Sequence, residues 1–546
     1  MKKVLFSLVM SMAVWAVAQA QILHTVIVTN YQFVPAILNV QVGDTVNFSC
    51  TLGCHDVNGS QATFPTNPTS FGNSTACATW DYTIIITMAG TYQYQSDADI
   101  TSGMQGTIIA TMPVVVGGPF TPGNIVIARV GDGAAPLNNA AQAVFLDEYT
   151  VGGGTLTLAQ SIPMPVATSG GNAPFATSGN STSEAALQLS VDGTKLVMAG
   201  YAATPGTANT QSFGASDRVI ALISADGTID TKTGITTGTG YTNMAMRGAA
   251  TVDGTAFWGS GGAAGGGGGG GGTSGGTRHL AAGSVTATST QLSTTAINTR
   301  AIGIFDGQLY AAGTVGAVST VYSIGTGLPT TAGQTTTPLP GFPTTTGGGN
   351  APTYASFQFV NMSDTVANSD VLYVVDARSV QAGGGVQKWS KVNNVWKQNS
   401  RITFAGGTVT NITVRKICDV VYVIGTAPSS LVYVVDAAGY DQKPSDTVFV
   451  AAATAPANTA FRGVSLTPNT LQSTTPLSLT TSTTDADCGQ TNGAAMAIVT
   501  GGAGSTYMYQ WSTTPTQATA QIANIGVGIY TVTIADALGC TKTATV

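Results

Sequence analysis

The sequence predicts an all-β protein of several domains, built from short strands and tight turns. Charged residues make up only 8% of the 546 residues, whereas glycine alone contributes 69. This composition is too apolar for a disordered chain, and its abundant threonine and valine favour strands joined by glycine-rich turns. A chain of this length is expected to form two to four domains.

Residues 1–20 predict the cellular location of the protein. They combine a basic start, a short apolar core and the small-residue ending Ala-Gln-Ala. This pattern is typical of a secretory signal peptide, and its apolar run is short for a membrane anchor, which is the alternative. No later run is long and apolar enough to cross a membrane. We therefore expect a secreted or cell-surface protein whose cysteines can form disulfides.

Residues 21–116 are expected to form the first domain. Runs with alternating polarity, such as Trp80–Thr87 and Thr91–Gln95, are separated by turn residues. Seven or eight short strands in fewer than a hundred residues predict a Greek-key β-sandwich.

Five motifs in this domain carry a resemblance to a known family. They are Phe33-x-Pro35, Val42-Gly43-Asp44-Thr45-Val46, Gly53-x-His55-Asp56-Val57, Ala89-Gly90-Thr91-Tyr92-x-Tyr94 and Gly103-Met104-x-Gly106-Thr107-Ile108. In this order they resemble the cupredoxin (plastocyanin-like) family. The resemblance implies a cupredoxin-like sandwich in which two histidines, a cysteine and a methionine would hold copper.

The resemblance places His55 at the first histidine position and Met104 at the axial methionine position. Ser96 stands at the cysteine position, and Asp99 stands at the second histidine position. A serine hydroxyl is not ionised at neutral pH and cannot replace a thiolate, so we expect that blue-copper electron transfer has been lost. The alternative is a rebuilt metal site, for copper or another metal, that uses His55, Asp99 and Met104.

Six cysteines are distributed over the chain as three, one and two. Cys50, Cys54 and Cys77 belong to the first domain, and Cys77 is expected to pair with Cys54 or Cys50. Cys418 lies in the middle of the chain. Cys488 and Cys540 bracket the C-terminal unit, where we expect them to form a disulfide.

Residues 117–475 contain a quasi-repeat of an apolar strand, an Asp-Gly pair and a second strand, which is a hairpin signal. Strong copies recur roughly every 45 to 60 residues, near the period of propeller blades. They are Leu187–Tyr201, Arg218–Asp230, Met246–Gly262 and Thr299–Gly313. The pattern predicts a β-propeller of six or seven blades, in which Asn124–Gly131 pairs with Phe461–Pro468. A stack of two β-sandwiches is the alternative.

Several polar residues of this middle region are candidates for a functional site. Comparable strands begin with Arg247, Arg300 and Arg462. These arginines would either converge on an acidic ligand or form hydrogen bonds with neighbouring carbonyl groups or turn aspartates. The glycine run 259–276 has no following Lys-Ser/Thr pair, which excludes a phosphate-binding loop. Three histidines and the absence of a Gly-x-Ser-x-Gly elbow argue against metal or serine hydrolysis. Glycoside hydrolysis by Asp147, Glu148 and Glu184 stays an alternative.

Residues 476–546 predict a small Ig-like sandwich. Its signature positions are Asn492-Gly493, Gly501-Gly502, Tyr509, Trp511, Gly528, Tyr530, Asp536 and Gly539-Cys540, together with Cys488. These positions resemble the SprB-type repeat of bacterial gliding adhesins. The resemblance implies a surface or adhesive role.

Together these features predict a non-enzymatic extracellular protein that binds a glycan, a matrix component or a surface protein, or that self-associates. The alternative is a metal-binding protein that acts through the first domain. A net charge of −6, without basic tracts interleaved with aromatic residues, argues against nucleic acid as a partner.

Overall fold

The computed structural model describes residues 22–546 except 42–43, 89, 112–116, 153–154, 209–215, 263–273, 284–287, 316–317, 345–350, 364–365, 367 and 474. The predicted signal peptide therefore lies outside the described residues. So do Val42, Gly43 and Ala89 of the cupredoxin-like motifs and most of the glycine run. The chain divides into two compact units, residues 1–114 and 115–546. The predicted domain bounds 21–116, 117–475 and 476–546 stay predictions.

The prediction of an all-β protein is confirmed, because the regular structure of the described residues consists of strands and short 3-10 turns. No helix in this part of the chain has the length and apolarity needed to span a bilayer.

The first unit contains seven strands in two sheets. They are β1 (Leu23–Thr29), β2 (Gln32–Val34), β3 (Ile37–Gln41), β4 (Thr45–Cys50), β5 (Trp80–Ile85), β6 (Gly90–Gln95) and β7 (Gln105–Thr111). One sheet has the order β2-β1-β4-β5 and the other has the order β3-β7-β6. The pairs β1/β4 and β3/β7 are parallel.

Alternating polarity explains how these two sheets pack. On β4, Val46, Phe48 and Cys50 are buried, while the residues between them are partly exposed. On β6, Tyr92 and Tyr94 are buried in the same way. Residues of both sheets belong to one hydrophobic core, as expected for strands with one apolar face. The first unit is therefore a two-sheet arrangement around a single core.

The second unit contains strands β8 to β39. Up to residue 466 they are β8 (Ile125–Val130), β9 (Ala141–Gln142), β10 (Val144–Gly152), β11 (Thr155–Pro163), β12 (Thr177–Ser178), β13 (Leu187–Leu189), β14 (Lys195–Tyr201), β15 (Arg218–Ser224), β16 (Ile229–Ile235), β17 (Met246–Thr251), β18 (Ala256–Gly261), β19 (Gly276–Ala281), β20 (Thr290–Gln291), β21 (Asn298–Phe305), β22 (Gln308–Val315), β23 (Val318–Ile324), β24 (Thr336–Pro338), β25 (Tyr354–Val360), β26 (Val371–Asp376), β27 (Gly385–Val392), β28 (Val395–Ile402), β29 (Asn411–Ile417), β30 (Val420–Ala427), β31 (Ser430–Asp436), β32 (Val450–Thr454) and β33 (Ala460–Leu466).

Most of these strands form antiparallel sheets of four strands each. In five of the sheets the strands are consecutive: β13–β16, β17–β20, β21–β24, β25–β28 and β29–β32. Another sheet has the order β11-β10-β8-β33, so the closing strand β33 pairs with the opening strand β8. The predicted pairing of these two segments is confirmed. The short strands β9 and β12 pair with each other.

The Asp-Gly pairs form tight turns between paired strands. They lie between β13 and β14, between β15 and β16, between β17 and β18 and between β21 and β22. Gly193, Gly227, Gly254 and Gly307 have φ between 71° and 92°, a region that a side chain would disfavour.

One edge strand of each four-stranded sheet contacts the corresponding strand of the next sheet. Contacts join β13 to β17, β17 to β21, β21 to β25, β25 to β29, β29 to β33 and β33 to β13. We call these six edge strands the inner strands. Apolar clusters lie between neighbouring sheets; one of them unites Val375 and Val386 with Val421 and Val432. The main core of the second unit is thus divided among the contacts between successive sheets.

The C-terminal strands form two three-stranded sheets around Trp511. The strands are β34 (Thr475–Thr484), β35 (Gly493–Gly502), β36 (Met508–Trp511), β37 (Gln521–Ile525), β38 (Thr531–Ala535) and β39 (Thr541–Thr545). The sheet orders are β34-β35-β37 and β36-β38-β39. Both sheets contribute to one apolar cluster, which also includes Cys418 from outside these strands.

The predicted Cys488–Cys540 disulfide is wrong. Cys540 is bonded to Cys418, and Cys488 is an exposed free thiol. Cys418 lies in the turn between β29 and β30, where the chain brings its Cα within 5.2 Å of that of Cys540. In the first unit Cys54 pairs with Cys77, one of the two predicted alternatives, and Cys50 is a buried free thiol.

Candidate functional site

Four residues at the ligand positions of the cupredoxin-like motifs lie together in the first unit. His55 follows β4 and is held by a backbone bridge to Ala76, next to the Cys54–Cys77 disulfide. Ser96 follows β6, and Asp99 precedes a 3-10 turn. Met104 is fully buried just before β7, and its carbonyl oxygen accepts a hydrogen bond from the Ser96 amide at 3.1 Å.

Hydrogen bonds connect these polar side chains to one another. The Nδ1 atom of His55 lies 2.6 Å from Oδ2 of Asp99, and its Nε2 atom lies 3.4 Å from Oδ1 of Asn30. The hydroxyl of Ser96 donates to Oδ1 of Asp56 at 2.9 Å and lies 3.3 Å from Oδ2 of Asp99. The buried polar groups are thus satisfied by their neighbours.

This arrangement does not fit a blue copper centre. The thiolate position is occupied by Ser96, whose hydroxyl donates to the carboxylate of Asp56 and lies close to that of Asp99. Within the described residues, no group of three or more histidine, cysteine or acidic side chains is arranged to hold a metal ion. The cluster also lacks a serine–imidazole hydrogen bond, so it does not form the relay of a serine hydrolase. A ligand role for His55, Asp99 and Met104 stays a prediction.

Restoring the missing ligands is expected to create a copper chromophore. The double substitution Ser96→Cys and Asp99→His would supply a thiolate and a second imidazole beside His55 and Met104. We expect an intense visible band when Cu(II) is added to this variant, and no such band from the wild-type site. The optical titration should be made with Cys488→Ser also present, because Cys488 is an exposed thiol. The two single substitutions are the controls, and an intense wild-type band would contradict the prediction.

The three acids considered for glycoside hydrolysis have separate partners. Asp147 forms an ion pair with Arg129, with 2.6 Å between Oδ2 and Nε. Glu148, the next residue on β10, accepts hydrogen bonds from Asn124 and Gln160. Glu184 accepts hydrogen bonds from the Tyr201 hydroxyl and the Ser178 amide. Each carboxylate is buried and engaged in its own local network.

Two of the three arginines donate to carbonyl groups. This is one of the two arrangements expected from the sequence. Arg462 donates to the carbonyl oxygens of Ser181, Phe461 and Gly179. Arg247 donates from Nη1 to the Thr299 carbonyl and to the Asn298 side chain.

A cavity of about 430 Å³ lies where the inner strands end. All six inner strands contribute to its wall, and the segment Thr470–Ser473 completes it. That segment is fastened on two sides. The Asn469 amide donates to the Gly193 carbonyl at 2.7 Å, and the Ser473 amide donates to the Lys416 carbonyl at 3.4 Å. The volume falls within the range of small-molecule binding sites.

Two residues that line this cavity carry buried polar atoms without a partner. The hydroxyl of Ser473 and the Oδ1 atom of Asn361 are buried, and neither has a hydrogen-bond partner among the described residues. Ser473 is only 4% exposed. The ammonium group of Lys416 donates to the Asn361 carbonyl at 2.7 Å. Buried polar groups are normally satisfied, so these two atoms are exceptions in the wall of the cavity.

Aromatic and amide groups form much of the remaining wall. Phe305 and Phe359 have ring centroids 5.0 Å apart, and Tyr310 packs on Phe359 at 4.8 Å. Gln358 and Gln472 also line the cavity. Their amides offer donors and acceptors beside the apolar rings, and the single cation Lys416 is accompanied by the carboxylates of Asp192 and Asp306. The wall therefore suits a polar molecule better than a strongly charged one.

This cavity was not predicted from the sequence. Its lining extends from Gln188 to Ser473, and no local motif connects these residues. The available signal was the Asp-Gly repeat, because three of its turns directly follow inner strands and so mark where those strands end.

Comparisons with known proteins find similarity over a small part of the chain. Three solved structures of amicyanin are each 22% identical, with 18% of this chain and 87% of the amicyanin chain covered and a TM-score of 0.14. They are a reduced proline-to-phenylalanine mutant, a reduced Cu(I) proline-to-glycine mutant at pH 4 and a reduced tryptophan-to-tyrosine mutant. No protein-family model and no curated protein sequence matches the chain.

Proposed function

We propose that this protein is an extracellular binding protein, and that its six four-stranded sheets form a six-bladed β-propeller whose axial cavity binds a neutral saccharide. The closing pair β8–β33 and the contacts among the inner strands support the propeller assignment. The N-terminal signal pattern and the two disulfides support export to an oxidising compartment.

The observation that carries the ligand assignment is the pair of unsatisfied buried atoms in the cavity, Ser473 Oγ and Asn361 Oδ1. A sugar hydroxyl can donate to Asn361 Oδ1 and either donate to or accept from Ser473 Oγ. The rings of Phe305 and Phe359 offer apolar surface for the carbon face of a sugar ring. The neutral hydroxyl groups of a sugar also suit the cavity wall, which carries the positive charge of Lys416 and the negative charges of Asp192 and Asp306.

Ser473→Ala is expected to weaken saccharide binding and, at the same time, to stabilise the free protein. In the free protein the Ser473 hydroxyl is buried without a partner, so its removal should raise the free energy of unfolding by up to about 1 kcal/mol. Loss of its hydrogen bond to the ligand should weaken binding by about 3- to 10-fold. Calorimetric titration with a panel of neutral oligosaccharides, together with thermal unfolding, measures both effects.

Ser390→Ala is the matched control for this prediction. Ser390 is also buried, but its hydroxyl donates to Asn399 Oδ1 at 2.7 Å and accepts from the Asp441 amide at 3.1 Å. Its removal should therefore lower stability by about 1–2 kcal/mol and leave saccharide affinity unchanged. A loss of affinity in both variants, or in neither, would contradict the cavity as the binding site.

The C-terminal sheets support an adhesive role within the same proposal. Their sequence resembles the SprB-type repeat, and the Cys418–Cys540 bond connects them covalently to the turn after β29. In this proposal the propeller binds the glycan while the Ig-like module contacts a matrix component, a surface protein or another copy of the chain. No catalytic step is part of the proposed function.

A second candidate function is metal binding by the first unit. The observation that favours it is the 2.6 Å separation of His55 Nδ1 and Asp99 Oδ2, two atoms that can both ligate a metal. Stoichiometric metal in the purified chain that disappears in His55→Ala would support this candidate.

A further inference from the structure

Three arginines occupy corresponding positions on the inner strands, and each lies at a β-bulge. On β17 the register shifts between Met246 and Gly248, so Arg247 is the additional residue. On β21 it shifts between Thr299 and Ala301, around Arg300. On β33 the shift spans Arg462 and Gly463. Bulges redirect side chains and are frequent next to functional sites. These bulges lie near the beginnings of the inner strands, opposite to the cavity.

Two of these guanidinium groups retain free hydrogen-bond donors. The side chain of Arg247 is 8% exposed, yet its Nε atom has no hydrogen-bond partner among the described residues. Its Nη1 atom reaches Asn298 and Thr299, which directly precede Arg300. The guanidinium of Arg300 makes no hydrogen bond or ion pair with another described residue. In Arg462, in contrast, each of the three guanidinium nitrogens donates to a carbonyl group.

The positive charge at this end is only partly balanced, because the carboxylate of Glu184 acts on Arg247 and Arg462 without forming an ion pair with either. None of the ion pairs between described residues includes Arg247, Arg300 or Arg462. Burial, with the neighbouring positive charge of Arg300, lowers the pKa of Arg247 to about 10. The carboxylate that acts on Arg247 is Glu184, whose own pKa is raised by burial. A largely buried cation whose hydrogen bonds are incomplete is unfavourable, so an anion supplied from outside would be stabilised here.

We propose that Arg247 and Arg300 form an oxyanion-binding site that takes the carboxylate of a uronic acid. The planar guanidinium groups match a carboxylate by paired N–H donors, and the free Nε of Arg247 supplies one of them. The identification of this carboxylate as part of an extracellular glycan rests on the proposed function. The oxyanion-binding site itself does not depend on the proposed function. An acidic sugar at this end and a neutral sugar in the cavity would be bound at two separate sites.

The test is a titration of the full chain with glucuronate, a sulfated monosaccharide, inorganic phosphate and neutral glucose. Arg300→Gln is expected to weaken glucuronate binding by about 10- to 100-fold, the range for hydrogen bonds between charged groups. Arg300→Lys retains the charge but loses the planar guanidinium group. Its affinity for glucuronate should therefore lie between those of the wild type and Arg300→Gln. Arg401→Gln removes one charge from the outer strand β28 and should leave glucuronate affinity unchanged.

Thermal unfolding provides a second measurement. Glucuronate should raise the unfolding temperature of the wild type and of Arg401→Gln, but not that of Arg300→Gln. Equal glucuronate affinity in wild type and Arg300→Gln, or no oxyanion binding at millimolar concentration, overturns the site. Stronger binding of the sulfated sugar or phosphate overturns its assignment to a carboxylate. Failure of the neutral saccharide to bind would overturn the cavity proposal while leaving this result intact.

Discussion

Replacing Cys540 or Cys418 with serine is expected to lower the free energy of unfolding of the C-terminal sheets by about 3–5 kcal/mol. The bond closes a loop with a sequence separation of 122 residues, and the chain-entropy model gives about 4.7 kcal/mol for a loop of 100 residues. Cys540 is also buried in the core around Trp511, so the substitution introduces a hydroxyl there. Scanning calorimetry without reductant should show the loss in the transition of these sheets.

Cys488→Ser is the matched control for this result. Cys488 is exposed and unbonded, so its replacement should change stability by less than about 0.5 kcal/mol. In the native wild-type chain, alkylation followed by mass spectrometry should modify Cys488 and leave Cys418 and Cys540 unmodified. Equal destabilisation by Cys488→Ser and Cys540→Ser would mean that the pairing expected from the sequence is the real one.

Lys388→Met is expected to destabilise the second unit by about 3–5 kcal/mol. The ammonium group of Lys388 lies 2.7 Å from Oδ2 of Asp436, and both side chains are almost completely buried. The same oxygen accepts a hydrogen bond from the Tyr373 hydroxyl at 2.5 Å. Because the pair joins β27 of one sheet to β31 of the next, its loss leaves a buried carboxylate unpaired between two sheets. Chemical denaturation of the full chain measures the change.

Two further variants show whether the loss comes from the unpaired charge. Lys397→Met removes an exposed lysine from the adjacent strand β28 and should have an effect of less than about 0.5 kcal/mol. The double variant Lys388→Met and Asp436→Leu removes both charges and should recover much of the stability. If the double variant were as unstable as the sum of its single variants, the ion pair would not be the cause.

Much of the strand pattern could be predicted because it depends on local chemistry. Alternating polarity on β4 and β6 indicates one buried face, and an Asp-Gly pair indicates a turn that needs positive φ. The four Asp-Gly turns are nevertheless not equivalent. Gly193, Gly254 and Gly307 lie between the first and second strands of their sheets, whereas Gly227 lies between the third and fourth. The number of four-stranded sheets therefore cannot be obtained by counting the Asp-Gly turns.

The disulfide of the C-terminal sheets shows where local reasoning ends. Cys488 and Cys540 bracket one module in sequence, but a disulfide needs two Cα atoms at a suitable distance. Cys418 reaches Cys540 only because the turn after β29 lies against the core of the C-terminal sheets. Cysteine connectivity cannot be deduced from sequence spacing alone.

The candidate sites also differ in whether they depend on local sequence or on three-dimensional packing. The motifs around His55 and Met104 identified residues that lie close together in the first unit, since both belong to one small domain. The bulges at Arg247 and Arg300 depend on strand register, which the sequence does not display. The cavity between Gln188 and Ser473 depends on six strands meeting at their ends, and Ser473 has no unusual sequence context.

Hydrogen–deuterium exchange of the full chain, with and without a bound neutral oligosaccharide, is the most direct test of the proposed axial binding site. The proposal predicts slower exchange in residues 188–193, 304–306, 358–361 and 470–473, which surround the cavity. Exchange in the first unit and in the C-terminal sheets should stay unchanged. Protection confined to either of those parts, or no neutral oligosaccharide that slows exchange anywhere, would contradict the proposal.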